Sequence, residues 1–236
     1  MLFIVLQQAQ ELWFKQMLHD LHAVVALMES GRFLPAAHLL GRVNRILRVV
    51  REEMEVMEML APIQFQGFRH LLTPSSGFES EQFRELELAS GLRDETYLKM
   101  VARVVDVEAV RRRWPRTLHD EFCDAAASID LDPIQAVVRV YTAPEEHAEM
   151  HALFEALSEY EMRFAAWRFH HVEVVERVIG DRSTGTGGSA GRSYLSRTLS
   201  YRFFPELWEA RNVITSRGGT RYEPHPSREG SFGRIP

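Results

Sequence analysis

His171 is the residue of this sequence best placed to do chemistry. It lies in the run from Tyr160 to Gly180, which has the periodicity of a helix ending at a glycine. At about 100° per residue, Phe164, Trp167, His171, Val175 and Val178 fall on one narrow apolar stripe, with His170 near its border. An imidazole there must satisfy two ring nitrogens where water is scarce. Two solutions are open: a backbone carbonyl, as for an ordinary core histidine, or a metal. Among metals haem iron suits the setting, because a flat apolar macrocycle needs apolar walls and one axial imidazole.

Three other groups carry chemistry-bearing residue types. His147 and His151 have the i, i+4 spacing of a helical metal pair, but Glu145, Glu146 and Glu149 surround them as on a solvated face, and no third ligand is in view. Gly185-Thr186-Gly187-Gly188-Ser189 could cradle an anion on backbone N–H groups. It lacks the lysine of a P-loop and the preceding strand of a dinucleotide site, and a flexible linker has the same composition. Arg69, within Phe65-Gln66-Gly67-Phe68-Arg69-His70, is a cation among aromatic residues ahead of a serine-rich turn. Most such arginines sit at the surface or pair with a carboxylate; one in a dry pocket is a bidentate clamp for a substrate carboxylate.

The elements that must position these residues are helices. Apolar residues recur every three or four positions over about residues 5–30, up to Ser30-Gly31, and again from Pro35 to about Leu60, where Pro62 stops the run. Met54, Met57 and Met59 in that second run read as gap-filling core. Shorter helices are predicted over about 63–72, 82–92, 95–105, 107–113, 117–128 and 132–141, and Pro144 is expected to open the long helix that carries His171. Thr73 to Gly77 is a turn-rich loop, and a last helix from Tyr194 is interrupted by Pro205. Strand-like alternation is scarce and no repeat is visible. The expectation is an all-α single helical domain over residues 1–216, followed by a disordered tail over 217–236, where glycine, proline and charge replace any period.

Bulk composition excludes several classes of function. A 45% hydrophobic chain of 236 residues can bury a sizeable core, and a net charge of −5 gives no basic field for nucleic acid or an anionic membrane. A single cysteine, Cys123, rules out intrachain disulfides, Cys-rich zinc sites and a Cys-ligated iron–sulfur cluster, and fits a cytoplasmic location. No apolar run approaches the roughly 20 residues of a membrane span. The opening Met1-Leu2-Phe3-Ile4-Val5-Leu6 is too short for a signal peptide, and a start inside an apolar element implies that a segment upstream is missing.

Four ordered blocks carry a family resemblance. They are Met1–Val5 leading into Glu11-Leu12-Trp13-Phe14-Lys15-Gln16; Gly67-Phe68-Arg69 with Pro74–Phe78 and Gln82-Phe83-Arg84; Trp167-Arg168-Phe169-His170-His171 with Arg177–Gly180; and Gly185–Ser189 with Phe203-Phe204-Pro205-Glu206-Leu207. In order and spacing, from residue 1 to about 214, the chain resembles tryptophan 2,3-dioxygenases, α-helical haem enzymes that open the indole ring. The resemblance implies haem b, with His171 as axial ligand to iron, and O2 as co-substrate. It implies that Phe3 and Phe65 line an indole pocket, that Arg69 pairs with the amino-acid carboxylate, and that Thr186 grasps the ammonium and carboxylate groups. It sets Ser76 near the haem edge. It further implies a homotetramer or homodimer in which a neighbour's N-terminal segment completes each pocket.

Two departures qualify what the resemblance implies. Gln7 stands where the family usually has a distal histidine that hydrogen-bonds the indole N–H; its amide carbonyl can still accept that bond but cannot titrate. The N-terminal segment that supplies lid residues in the family does not precede Met1 here. The expected activity is insertion of O2 into the indole ring of L-tryptophan or a substituted tryptophan, giving an N-formylkynurenine-type product. Gln7 keeps open a haem mono-oxygenase hydroxylating an indole or aromatic amino acid, and a third reading is a non-catalytic haem or amino-acid sensor.

Overall fold

The computed structural model describes residues 1–72, 77–129, 132–181 and 192–218, and every regular element among them is helical. The first two apolar periods become α1, Leu2–Glu29, and α2, Phe33–Met57. Gly31 at φ +70° turns the chain between them, a conformation that a side chain would resist. Each apolar stripe is buried against its neighbour: Phe14, Met17, Leu21 and Val24 on α1, and Leu40, Val43, Leu47 and Val50 on α2. Polar side chains fix the pairing. Buried Asp20 accepts from Arg42 Nε at 2.8 Å and from Gln16 Nε2 at 2.9 Å, and Trp13 Nε1 donates to Glu53 at 2.9 Å.

The short elements follow as α3 Pro62–Arg69, a single 3-10 turn over 77–79, α4 Glu81–Ala89, α5 Glu95–Val101, α6 Val107–Arg113, α7 Leu118–Ala127 and α8 Pro133–Thr142. Their starts are set by side chains that accept orphan N–H groups: Ser80 for α4, Asp94 for α5, Asp106 for α6, Thr117 for α7 and Asp132 for α8. The long helix α9, Ala148–Ile179, packs along α2, and Asn44 Nδ2 donates to the Ala156 carbonyl at 3.1 Å across that seam. α10, Arg192–Thr198, lies on α9, and α11, Pro205–Ser216, packs on α8. No described helix is long and apolar enough to cross a membrane.

Several boundaries differ from those expected. Helix α1 starts at Leu2, earlier than residue 5, because its first turn packs Phe3 on Phe65 and Phe68. Pro144 does not open α9: Ala143 (φ −134°) and His147 (φ −126°) break the backbone on either side of it, and the helix begins at Ala148. Met54 and Met57 are core residues as expected, but Met59 falls past the end of α2 and is 78% exposed. All but Arg217 and Gly218 of the expected tail lies outside the described residues.

Candidate active site

A cavity of about 930 Å³ opens between α1, α2, α3, α4 and α9, at the upper end of the 300–1,000 Å³ typical of ligand and cofactor sites. Helix α1 supplies one wall. Phe3, Leu6, Gln7, Gln10 and Phe14 recur at helical spacing and all face the space. Phe3 and Phe14 stand about 16 Å apart along the helix axis, at 1.5 Å per residue. Each belongs to a separate aromatic group. Phe3, Phe65 and Phe68 form a triangle with centroids 5.3–5.8 Å apart, while Phe14, Phe83 and Trp167 cluster at 4.6–6.3 Å.

Helix α9 supplies the facing chemistry. Trp167, His171, Val174, Val175 and Val178 line the cavity, so the stripe read from the sequence is the cavity wall. The His171 ring lies nearly parallel to Trp167, at 5.2 Å and 18°. It has no hydrogen-bond partner among the described residues, which leaves the ordinary core-histidine solution unused. Burial pushes the imidazole pKa down to about 4, with the positive charge of Arg84 and the neighbouring His170 acting in the same direction. The ring is therefore neutral near pH 7, with a lone pair available. His170, one residue earlier, turns away and places Nε2 2.6 Å from a carboxylate oxygen of Glu58, at the end of α2. The two histidines thus face different partners, as their helical phase requires.

A buried charge cluster closes the wall beside His171. Glu87, 1% exposed, accepts from Arg168 Nη2 at 2.7 Å and from the Tyr97 hydroxyl at 2.6 Å, and forms an ion pair with Arg84 Nη1 at 3.0 Å. Both guanidinium groups also lie over aromatic rings: Arg84 at 4.7 Å from Phe83, and Arg168 at 4.9 Å from Phe164 and 5.2 Å from Phe203. Arg84 and Arg168 line the cavity together with Glu87, Glu79, Glu53 and Glu11, so its polar lining carries both signs of charge. Burial and the nearby Glu87 carboxylate hold the Tyr97 hydroxyl well above its usual pKa, so Tyr97 stays a donor. Sequence reasoning missed the cluster. Arg84 and Glu87 at i, i+3 have the spacing of any surface ion pair on a helix, and nothing local places Arg168 opposite them.

Of the residues singled out in the sequence, the structure brings Phe3, Gln7, Phe65 and His171 to one cavity. Arg69, half-buried in the last turn of α3, is not among the lining residues, although Phe65 one turn earlier is. Ser76, Thr186 and the rest of the glycine-rich segment lie outside the described residues. His147 and His151 make no three-ligand group among the described residues.

The donor set suits haem. One neutral imidazole in an apolar wall, without a hydrogen-bond partner among the described residues, could ligate the iron, and the cationic Lys15 and Arg84 on the lining could face the carboxylates that haem b carries. A model of the protein family described as tryptophan 2,3-dioxygenase matches residues 1–121 and 126–214 of the chain. The tryptophan 2,3-dioxygenase of a Nocardioides species is 40% identical over 227 residues, covering 91% of this chain and 85% of that protein. Those of Pseudomonas aeruginosa PAO1 and Bradyrhizobium diazoefficiens are 37% and 35% identical, with 91% of this chain and 81% and 84% of theirs covered. With both aromatic groups, the α9 wall and the α4 charge cluster inside the matched range, the chain belongs to the tryptophan 2,3-dioxygenase family.

Proposed function

We propose that the protein is a haem-dependent oxygenase that inserts both atoms of O2 into the indole ring of L-tryptophan or a substituted tryptophan, giving an N-formylkynurenine-type product. The observation that carries this reading is His171, a neutral imidazole without a hydrogen-bond partner among the described residues, facing a cavity of about 930 Å³. Haem b, when bound, supplies an iron at which O2 is held and activated. His171 would hold that iron through its ring nitrogen, and Val174, Val175 and Val178 give the surrounding wall its apolar character. The aromatic triangle of Phe3, Phe65 and Phe68 gives a flat substrate ring edge and face contacts. Gln7, one turn from Phe3 on the same face of α1, accepts the indole N–H through its amide oxygen.

The roles of Arg69 with the substrate carboxylate, of Thr186 with its ammonium and carboxylate groups, and of Ser76 near the haem edge rest on family resemblance alone. So does the assembly, a cytoplasmic homotetramer or homodimer. The exposed apolar Leu2, Ile4 and Val5 at the start of α1 are in keeping with a subunit contact there. Gln7 also favours a second reading, mono-oxygenation of an indole or aromatic amino acid, because a glutamine changes the hydrogen bonding at a polar position one turn from Phe3.

The deciding experiment reduces the haem-loaded protein without oxygen, adds tryptophan and then 18O2, and weighs the product. Two labelled atoms in a ring-opened product support dioxygenation, and one in a hydroxylated product supports the second reading. A Soret band with no oxygen consumed across aromatic amino acids refutes both and leaves a sensor.

A further inference from the structure

Away from the cavity, one further set of ligating side chains converges. His119 and Cys123 sit one turn apart on α7, and Glu206 lies in the first turn of α11. One potential ligand atom from each lies within 4.8 Å of the others, the only such trio of His, Cys, Asp or Glu among the described residues. The His119 Nε2 atom is 3.1 and 3.2 Å from the two Glu206 oxygens, and Cys123 Sγ is 3.7 Å from Nε2. A tetrahedral Zn2+, with bonds of about 2.0–2.1 Å to nitrogen and oxygen and 2.3 Å to sulfur, sets its N···O edge at about 3.3 Å and its N···S edge at about 3.6 Å. The two edges found here bracket those values. Sγ is also 3.8 Å from Nδ1, so the thiol stands beside the ring and not on the Nε2 lone-pair axis. A rotamer turn of Cys123 is what a bound ion requires.

The trio is held in place by packing. The His119 ring rests between Phe122 and Phe204, at centroid distances of 6.0 and 6.2 Å. Gly91, at φ +101°, passes so close that a Cβ there would fall 2.4 Å from the His119 Cβ. Thr117 and Asp120 cap the helix reciprocally, and Asp120 also takes Arg93, so this neighbouring carboxylate is already engaged. A separate cavity of about 340 Å³, lined by His119, Glu206 and Tyr201, gives water access to the trio as a fourth ligand. A thiolate and a carboxylate together balance the charge of a divalent ion.

We propose that His119, Cys123 and Glu206 form a binding site for a zinc-class divalent cation, completed by water, that pins α11 to α7. On binding, the Cys123 thiol and the His119 imidazolium each release a proton to solvent, and imidazole, thiolate and carboxylate each give one ligand atom. The competing explanation is a plain histidine–carboxylate pair with a bystander thiol. The two differ in what happens to Cys123.

Cys123 is the only cysteine of the chain, so any thiol reagent reads this site alone. Chelator-treated, haem-loaded protein is titrated with Zn2+ while metal content and the rate of disulfide exchange with an aromatic disulfide reagent are followed. One Zn2+ per chain is expected, with thiol reaction slowed at least tenfold and no effect of Mg2+. Cys123→Ser and His119→Gln should each weaken Zn2+ binding by at least about tenfold, the lower end of what even supporting residues of a metal site cost. Helical circular dichroism and the Soret band should be unchanged, which separates loss of the ligand from loss of the fold. Glu206→Gln gives an independent third reading of zinc affinity. No stoichiometric uptake, uptake undiminished in Cys123→Ser, or a thiol rate indifferent to zinc in the unsubstituted protein would each overturn the site and leave the ion pair.

Discussion

Replacing Glu87 by glutamine tests whether the charges beside the cavity are arranged as their geometry indicates. Glutamine keeps the shape of Glu87 and removes the only carboxylate that Arg168 contacts among the described residues. Both partners of that pair are nearly inaccessible to water, at 1% and 4% exposure. Removing one member of a buried ion pair costs about 3–5 kcal/mol, since the remaining charge is left desolvated. For a chain of this size each kcal/mol moves the melting temperature by about 2–4 °C, so Glu87→Gln should lower it by about 6–20 °C. Counting charges adds a sharper expectation. Arg168→Met keeps Glu87 paired through its 3.0 Å contact with Arg84, at the cost of the stacking over Phe164 and Phe203, about 2 kcal/mol.

The double variant Glu87→Gln with Arg168→Met should accordingly be more stable than Glu87→Gln alone. Guanidinium chloride unfolding of the haem-free protein gives all four stabilities of the cycle, and the coupling term isolates the pair. A Glu87→Gln variant within about 0.5 kcal/mol of the parent, the range of ordinary surface substitutions, would refute the reasoning. So would an Arg168→Met variant less stable than Glu87→Gln.

Three further expectations follow from single contacts. His171→Ala should lose haem, or hold it only with added imidazole, while His170→Gln keeps a normal Soret band; the reverse result in absorption spectra would put the wrong histidine on the cavity wall. Glu161, buried on α9, accepts from the backbone N–H of Phe203 at 2.7 Å and from Trp208 Nε1 at 2.8 Å. Glu161→Gln should cost about 1–3 kcal/mol for each donor left unmet and speed amide exchange at Phe203, and unchanged exchange there would dismiss the anchor. Burial works to raise the Glu85 carboxyl, but the hydrogen bonds from Arg113 and Trp114 outweigh it and hold its pKa below 4.5. The unfolded chain therefore takes up this proton first, so the stabilisation is complete above pH 4.5 and is lost as pH falls through the folded value. Glu85→Gln should flatten that acid limb in a pH series of unfolding curves, and an identical slope would exclude the contribution.

Legibility in the sequence followed the range of the interactions involved. The stripe through Trp167, His171 and Val178 could be read because a helix fixes the phase of residues within a few turns, and that phase alone divides His171 from His170. Phe3 and Gln7 come from the family resemblance instead, since the apolar period is legible only from about residue 5 and the first turn of α1 is fixed by Phe65 and Phe68 on another helix. The break at Ala143–His147 was not readable, since Pro144 fits the first turn of a helix as well as it fits a turn before one. The Glu87 cluster draws on α4, α5 and α9, and the His119 trio joins residues 87 positions apart. No local period marks a carboxylate as buried when its partners are supplied by other helices.

The buried charges also bear on what the cavity can admit. Positive charge beside His171 works against a second positive charge on the ring, which is one reason why the imidazole stays unprotonated. That local charge disfavours a cation placed against His171, while the apolar walls favour a flat apolar ligand. An apolar macrocycle meets both conditions, whereas a bare transition-metal ion finds a single nitrogen on this wall. A wall of Val174, Val175 and Val178 offers no second donor to such an ion. The wall on α9 thus selects among ligands of one and the same histidine, by shape and by the number of donors it offers.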